Sequence, residues 1–146
     1  MGETKRFVER SVEVWNAHDK AGWTKDVADD CEFTVPGGIS GSGKDLRDLL
    51  FSMWTDAFPD NRIKPTRIGE DGDYGILEAV FEGTHTGTLN APTGAIPPTK
   101  KRVSIPFVTT SSIKGGRYKA FHLYFDQADL MTQLGLMPTP VGAAKP

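Results

Sequence analysis

At 146 residues the chain is long enough to bury one substantial core and too short for two comfortable domains. Charged residues make up 25% of it, the net charge is only −2 and neither sign is segregated, which excludes an electrostatic footprint for nucleic acid or an acidic membrane. The single cysteine, Cys31, rules out an intramolecular disulfide, and the N-terminal stretch has no long apolar run, so the expectation is a cytoplasmic protein with no signal peptide or spanning helix.

Phe7, Val8, Val12 and Trp15 recur at helical spacing and predict a first helix over residues 3–17. Asp19 is a candidate N-cap for a second, short helix from Lys20 to about Ala28, with Trp23 and Val27 as its buried pair. Cys31–Val35 reads as a short strand closed by Pro36-Gly37-Gly38, and further Gly and Ser residues extend the turn signal to Gly43. Leu46, Leu49, Leu50, Met53, Trp54 and Ala57 then mark a third helix, which Phe58-Pro59 ends. From there the period changes to alternation. Strands are expected at Ile63–Gly69, Tyr74–Thr86 and Val103–Ile113, joined by Gly-containing turns. The intervening segment 87–102 has two Gly, three Pro and no periodicity, and a loop of that length is usually functional or disordered. Helices first and strands after argue an α+β fold in which about three helices cover one face of a strongly bent antiparallel sheet. Residues 1–136 would form a single domain and 137–146, rich in Pro, Ala and Gly, a loose tail.

The stretch RYKAFHLYFDQADLMTQLGL (117–136) reads as a strand that breaks into a helix. Strict alternation puts Tyr118, Ala120, His122, Tyr124 and Asp126 on one face and Lys119, Phe121, Leu123 and Phe125 on the other. A polar row of that kind is a solvated face or the wall of a pocket. The pocket reading puts Asp126 at its chemical centre. A plain N-cap for the following helix explains Asp126 equally well, since Asp129 follows three residues on. His122 has a strand-face alternative, and His85, at the end of the long central strand, can be a hydrogen-bond anchor. His18 reads as structural. Three histidines and one cysteine show no short ligand spacing, so no metal site is expected; an iron triad of His85, His122 and Asp126 would need a particular strand register. The glycines at 37, 38, 41 and 43 match no phosphate-binding motif, and Lys100-Lys101-Arg102 is most simply a solvated turn.

The segments GTHTGTLNAPTGAIPPTKKRVSIPF (83–107) and YFDQADLMTQLGL (124–136), with the order of elements, resemble the SnoaL-like polyketide cyclases or ester cyclases. The resemblance implies a nuclear-transport-factor-2-like cone enclosing one apolar cavity, and dimers or tetramers joined through the sheet. It also implies a cofactor-free intramolecular aldol ring closure on a hydrophobic, polycyclic or polyketide-like carbonyl substrate, with Asp126 as general acid/base. Apolar surroundings would push such a carboxyl toward its protonated form. Ketosteroid isomerase, related in fold, pairs an Asp base with donors to an enolate oxygen; here His122, His85 and Tyr124 are the candidates. Trp15, Trp54 and Phe107 are the expected lining. A hydrolase or hydroxylase on the same scaffold is the alternative, the hydrolase wanting two acids such as Asp126 with Glu78 or Glu82 around an inward arginine; a non-catalytic binder is another.

Overall fold

The computed structural model describes residues 2–91 and 94–138. Helix α1 (Glu3–Asn16) is followed by α2 (Lys20–Lys25), whose N-cap is Asp19, its carboxylate accepting from Gly22 N at 2.9 Å. The second helix is shorter than its sequence suggests. Val27 opens strand β1 (Val27–Val35), because Trp23 alone anchors the helix and the chain turns extended at once. The glycine-rich turn continues as a short strand, β2 (Ile39–Ser42), paired back onto β1. Helix α3 (Lys44–Ala57) ends before Pro59.

Strands β3 (Arg62–Asp71) and β4 (Tyr74–Thr84) form a hairpin. The segment read as a long loop holds a small ribbon, β5 (Leu89–Ala91) against β6 (Gly94–Ile96). Gly87 leads into it; Thr86 N and Gly87 N both donate to Ala57 O at 3.2 and 3.1 Å, and a Cβ at 87 would collide with the Asp56 carbonyl. Strands β7 (Arg102–Lys114) and β8 (Arg117–Phe125) and helix α4 (Gln127–Gln133) complete the chain. The expected loose tail lies outside the described residues from 139 onward.

The six-stranded sheet runs β2-β1-β8-β7-β4-β3. It is not wholly antiparallel: β1 lies parallel to β8, so the chain's first long strand is inserted beside its last. Register shifts in β3 and β8 bend the sheet, and α1 and α3 lie on its concave side. The end of α1 is tied down by paired hydrogen bonds. Asn16 Nδ2 donates to Ile63 O at 2.9 Å and Ile63 N to Asn16 Oδ1 at 2.7 Å. Buried Asn61 accepts from Trp15 Nε1 at 2.8 Å and donates to Phe58 O at 2.8 Å. His18, at φ 55°, meets Asn61 O at 2.9 Å and so belongs to this clasp. Among the described residues no helix is long and apolar enough to cross a membrane.

Candidate active site

An apolar cavity of about 90 Å³ lies where α1, α2, α3 and α4 face the concave side of the sheet. Its wall includes Trp15, Trp23, Trp54, Phe81, Phe107, Phe121, Leu123 and Phe125. The aromatic rings hold one another edge-on. Trp15 meets Phe51 at 4.8 Å and Trp23 at 5.4 Å between centroids, and Trp54 meets Phe125 at 5.5 Å. The wall is therefore braced from behind by core packing. The volume falls below the roughly 300–1,000 Å³ of a pocket for a drug-sized ligand, so a polycyclic occupant would require the wall to part.

No charged side chain lines this space among the described residues; its hydroxyls come from Ser11, Thr109 and Tyr118. Tyr118 is in the wall because β8 carries a bulge. Ser112 pairs with Ala120 but Ile113 pairs with Tyr118, so Lys119 is an extra residue and the alternation slips by one. Tyr118 thus joins Phe121, Leu123 and Phe125 on the concave face, not His122 and Tyr124 as strict alternation implied. Burial, with the charge of Asp26 behind it, pushes the Tyr118 phenol up to about 12, and the Ser11 hydroxyl acts against that as its hydrogen-bond partner.

The residues expected to form a polar pocket face away from the cavity. His122 and Tyr124 share the convex face, with His122 Nδ1 3.2 Å from the Tyr124 hydroxyl, and Tyr124 is 51% exposed. Asp126 is exposed and caps α4, its Oδ1 accepting from Asp129 N at 3.1 Å. It sits at the wall's edge, directly after Phe125 and one helical turn before Leu130, both of which line the cavity. The pocket reading of that polar row is corrected accordingly. The inward face is the greasy one, because burying Phe121, Leu123 and Phe125 is favourable by about 2 kcal/mol each whereas burying His122 and Asp126 unpaired costs free energy.

His85 is fully buried but apart from the cavity wall. Its Nδ1 accepts from Thr99 N at 3.2 Å and lies 3.0 Å from Thr99 Oγ1, while its ring packs 5.2 Å from that of Phe58. Its Nε2 has no partner, and burial pushes its pKa down. His85 N donates to Lys101 O and Lys100 N to His85 O, so the side chain and backbone together fasten the 97–101 segment to the end of β4. An iron triad with His122 and Asp126 is geometrically closed: Thr84 lies opposite Arg102 and His122 opposite Thr110, which separates the two histidines by roughly 25 Å along β7. Among the described residues no three His, Cys, Asp or Glu side chains gather as a metal site. Glu82 is held outside by Lys64 at 2.7 Å and Arg102 at 3.7 Å, Glu78 is exposed, and among the described residues no arginine lines the cavity.

Of the other expected positions, Trp15, Trp54 and Phe107 stand in the wall. Ser11, Thr109 and Tyr118 are the polar members that sequence reasoning did not nominate. Ser11 had a visible signal: it interrupts the buried line Phe7–Ser11–Trp15 along one side of α1. The β8 bulge had none.

The model of a family described as SnoaL-like polyketide cyclase matches residues 5–134. No curated protein matches the chain. Among solved structures, the candidate hydroxylase AclR from Streptomyces galilaeus superposes with a TM-score of 0.79 at 24% identity, over 96% of this chain and 85% of that one. IdmH from Streptomyces antibioticus, a proposed polyketide cyclase, gives 0.72 at 21% over 92% and 99%. A protein of ketosteroid isomerase-like fold from Catenulispora acidiphila, solved with trimethylamine, gives 0.72 at 18% over 92% and 97%.

Proposed function

Because the chain belongs to the SnoaL-like polyketide cyclase family, we propose that its cavity receives a neutral, hydrophobic carbonyl compound and that it acts as a cofactor-independent cyclase or isomerase. The observation that carries this is the uncharged aromatic wall, with hydroxyls as its main polar feature. Such a chamber favours a compact apolar ring and disfavours any ion, which would lose its hydration with no partner. The chemical step, intramolecular aldol closure or a related proton shift, needs a base beside the carbon next to the carbonyl. Asp126 is assigned that role, because the lining residues Phe125 and Leu130 flank it in sequence. Its contribution would be of the order of 10²–10⁴-fold. A base at the rim reaches a substrate only when part of it projects from the chamber, which fits a ring larger than the cavity as it stands.

A non-catalytic binder is the second reading, favoured by the absence of any carboxylate or histidine from the wall among the described residues. Hydrogen–deuterium exchange in D₂O at the carbon beside the carbonyl of 1-tetralone, a ketone larger than the chamber, followed by NMR, separates the two. The enzyme reading expects exchange above the buffer rate that Asp126→Asn lowers about a hundredfold. Binding without accelerated exchange leaves the binder. The convex face, where Tyr74, Ile76 and Tyr124 are exposed, is assigned to a second copy of the chain, and sedimentation velocity on wild type and Tyr124→Glu tests it.

A further inference from the structure

We propose that the Ser11–Tyr118 hydroxyl pair is the polar subsite of the cavity and donates a hydrogen bond to the carbonyl oxygen of a neutral, otherwise apolar ligand. The proposal rests on the reading of the cavity as a ligand chamber and names what that chamber recognises.

The first support is a count of protons. Tyr118 and Ser11 both line the cavity and each brings one O–H, and a contact between the two hydroxyls can engage only one of them. Among the described residues neither hydroxyl has a hydrogen-bond partner outside the pair, so at least one O–H is left for a wall whose other polar side chain is Thr109. The neighbouring indole of Trp15 offers no competitor, since its N–H is committed to Asn61 at 2.8 Å.

The second support is rigidity. The Tyr118 ring is clamped edge-on between Phe7 at 4.8 Å and 81° and Phe121 at 5.3 Å and 83°. Its backbone N donates to Asp26 O at 2.8 Å, at the point where the bulge in β8 turns the side chain inward. Ser11 is fixed by α1 between the buried residues Phe7 and Trp15. A donor held this way loses little freedom when it takes an acceptor.

The third support is that the fold does not need the pair. A buried hydroxyl pair can be exchanged for apolar groups of the same shape at almost no cost to stability, so Phe and Ala would serve the core equally well. The phenol also stays protonated, and therefore a donor, throughout the physiological range. A carboxylate or ammonium ligand finds no countercharge in the wall, whereas a ketone or aldehyde oxygen finds hydroxyl donors and apolar surroundings.

The test compares two probes of one shape, cyclohexanone and methylenecyclohexane, titrated by protein-observed NMR into wild type, Tyr118→Phe and Ser11→Ala. Tyr118→Phe is expected to weaken cyclohexanone about tenfold and to leave methylenecyclohexane within about twofold. Ser11→Ala leaves the phenol O–H in place for the ligand and keeps cyclohexanone within about threefold of wild type. The carbonyl stretch of bound cyclohexanone should lie lower in wild type than in Tyr118→Phe. If wild type binds both probes and Tyr118→Phe weakens neither, or both equally, the chamber stands and the subsite is overturned. If wild type binds neither probe, the chamber reading itself fails and this proposal with it.

Discussion

The two faces of β8 carry opposite kinds of residue and obey different rules. On the concave side Tyr118, Phe121, Leu123 and Phe125 form a continuous wall of the cavity, and their one polar side-chain atom is the phenol oxygen of Tyr118. On the convex side half-buried His122 and exposed Tyr124 touch each other at 3.2 Å. The difference teaches that chemical variety along a strand does not mark the pocket. A hydrophobic chamber is walled by what water rejects, and the residues with the richest chemistry end up where solvating them is cheapest.

Stability separates the faces most strongly. Phe121→Ala removes a ring that contacts Trp23, Phe33 and Tyr118, and should cost about 3 kcal/mol in chemical denaturation, near the lower end for core aromatic truncation. A loss under about 1 kcal/mol would mean that the concave face is less packed than its contacts imply. The next effect is an alkaline one. The folded state holds Tyr118 protonated up to about 12 against an ordinary value of 10.0, so unfolding releases its proton more readily. Stability should be unaffected below pH 10 and should fall between about pH 10 and 12, by about 2 kcal/mol from this group. Tyr118→Phe should remove that part of the slope. The buried Cys31 thiol, pushed up to about 12 by burial, adds a slope of the same sign, which Cys31→Ala would isolate.

The fold was legible where the hydrophobic period was long. The line Phe7–Trp15 and the run Leu46–Ala57 located α1 and α3 to within about two residues, and the alternation at 74–84 located β4. Three features were not legible, each for a physical reason. The parallel insertion of β1 beside β8 is a pairing of residues some ninety positions apart, and local pattern carries no information about it. The β5–β6 ribbon is three residues a side and is held by neighbours such as α3 more than by its own propensity. The bulge at Lys119 inverted the assignment of Tyr118, because one extra residue exchanges the faces on either side of it. The candidate site suffered most from that slip. Lining aromatics such as Trp15, Trp54 and Phe107 followed from the hollow fold that the family resemblance implies, while the hydroxyl pair needed two elements brought together in space.

At the end of β8 two explanations of one carboxylate can be pulled apart. Asp126 accepts from Asp129 N and so caps α4, a role that Asn performs as well and Ala does not. Asp126→Ala should therefore cost about 1 kcal/mol, seen as a fall of about 3 °C in Tm, and Asp126→Asn should leave Tm unchanged. A base is removed by both substitutions alike. If exchange on 1-tetralone is lost in Asn and Ala together while only Ala lowers Tm, the residue is both cap and base. If exchange in the Asn variant equals wild type, capping is its whole function.

The smallest effect belongs to the convex pair. His122→Ala breaks a contact between a half-buried imidazole and an exposed phenol, and surface contacts of that kind are worth no more than about 0.5 kcal/mol. Its ring faces away from the cavity wall, so the affinity for cyclohexanone should stay within about twofold of wild type. Tyr118→Phe changes one oxygen atom on the same strand, four residues earlier, and is expected to do the opposite: little to stability at neutral pH and about tenfold to affinity. Should His122→Ala weaken the ketone by as much as Tyr118→Phe does, the two faces would not be independent, and a ligand would have to be sensed through the strand and not only across the chamber.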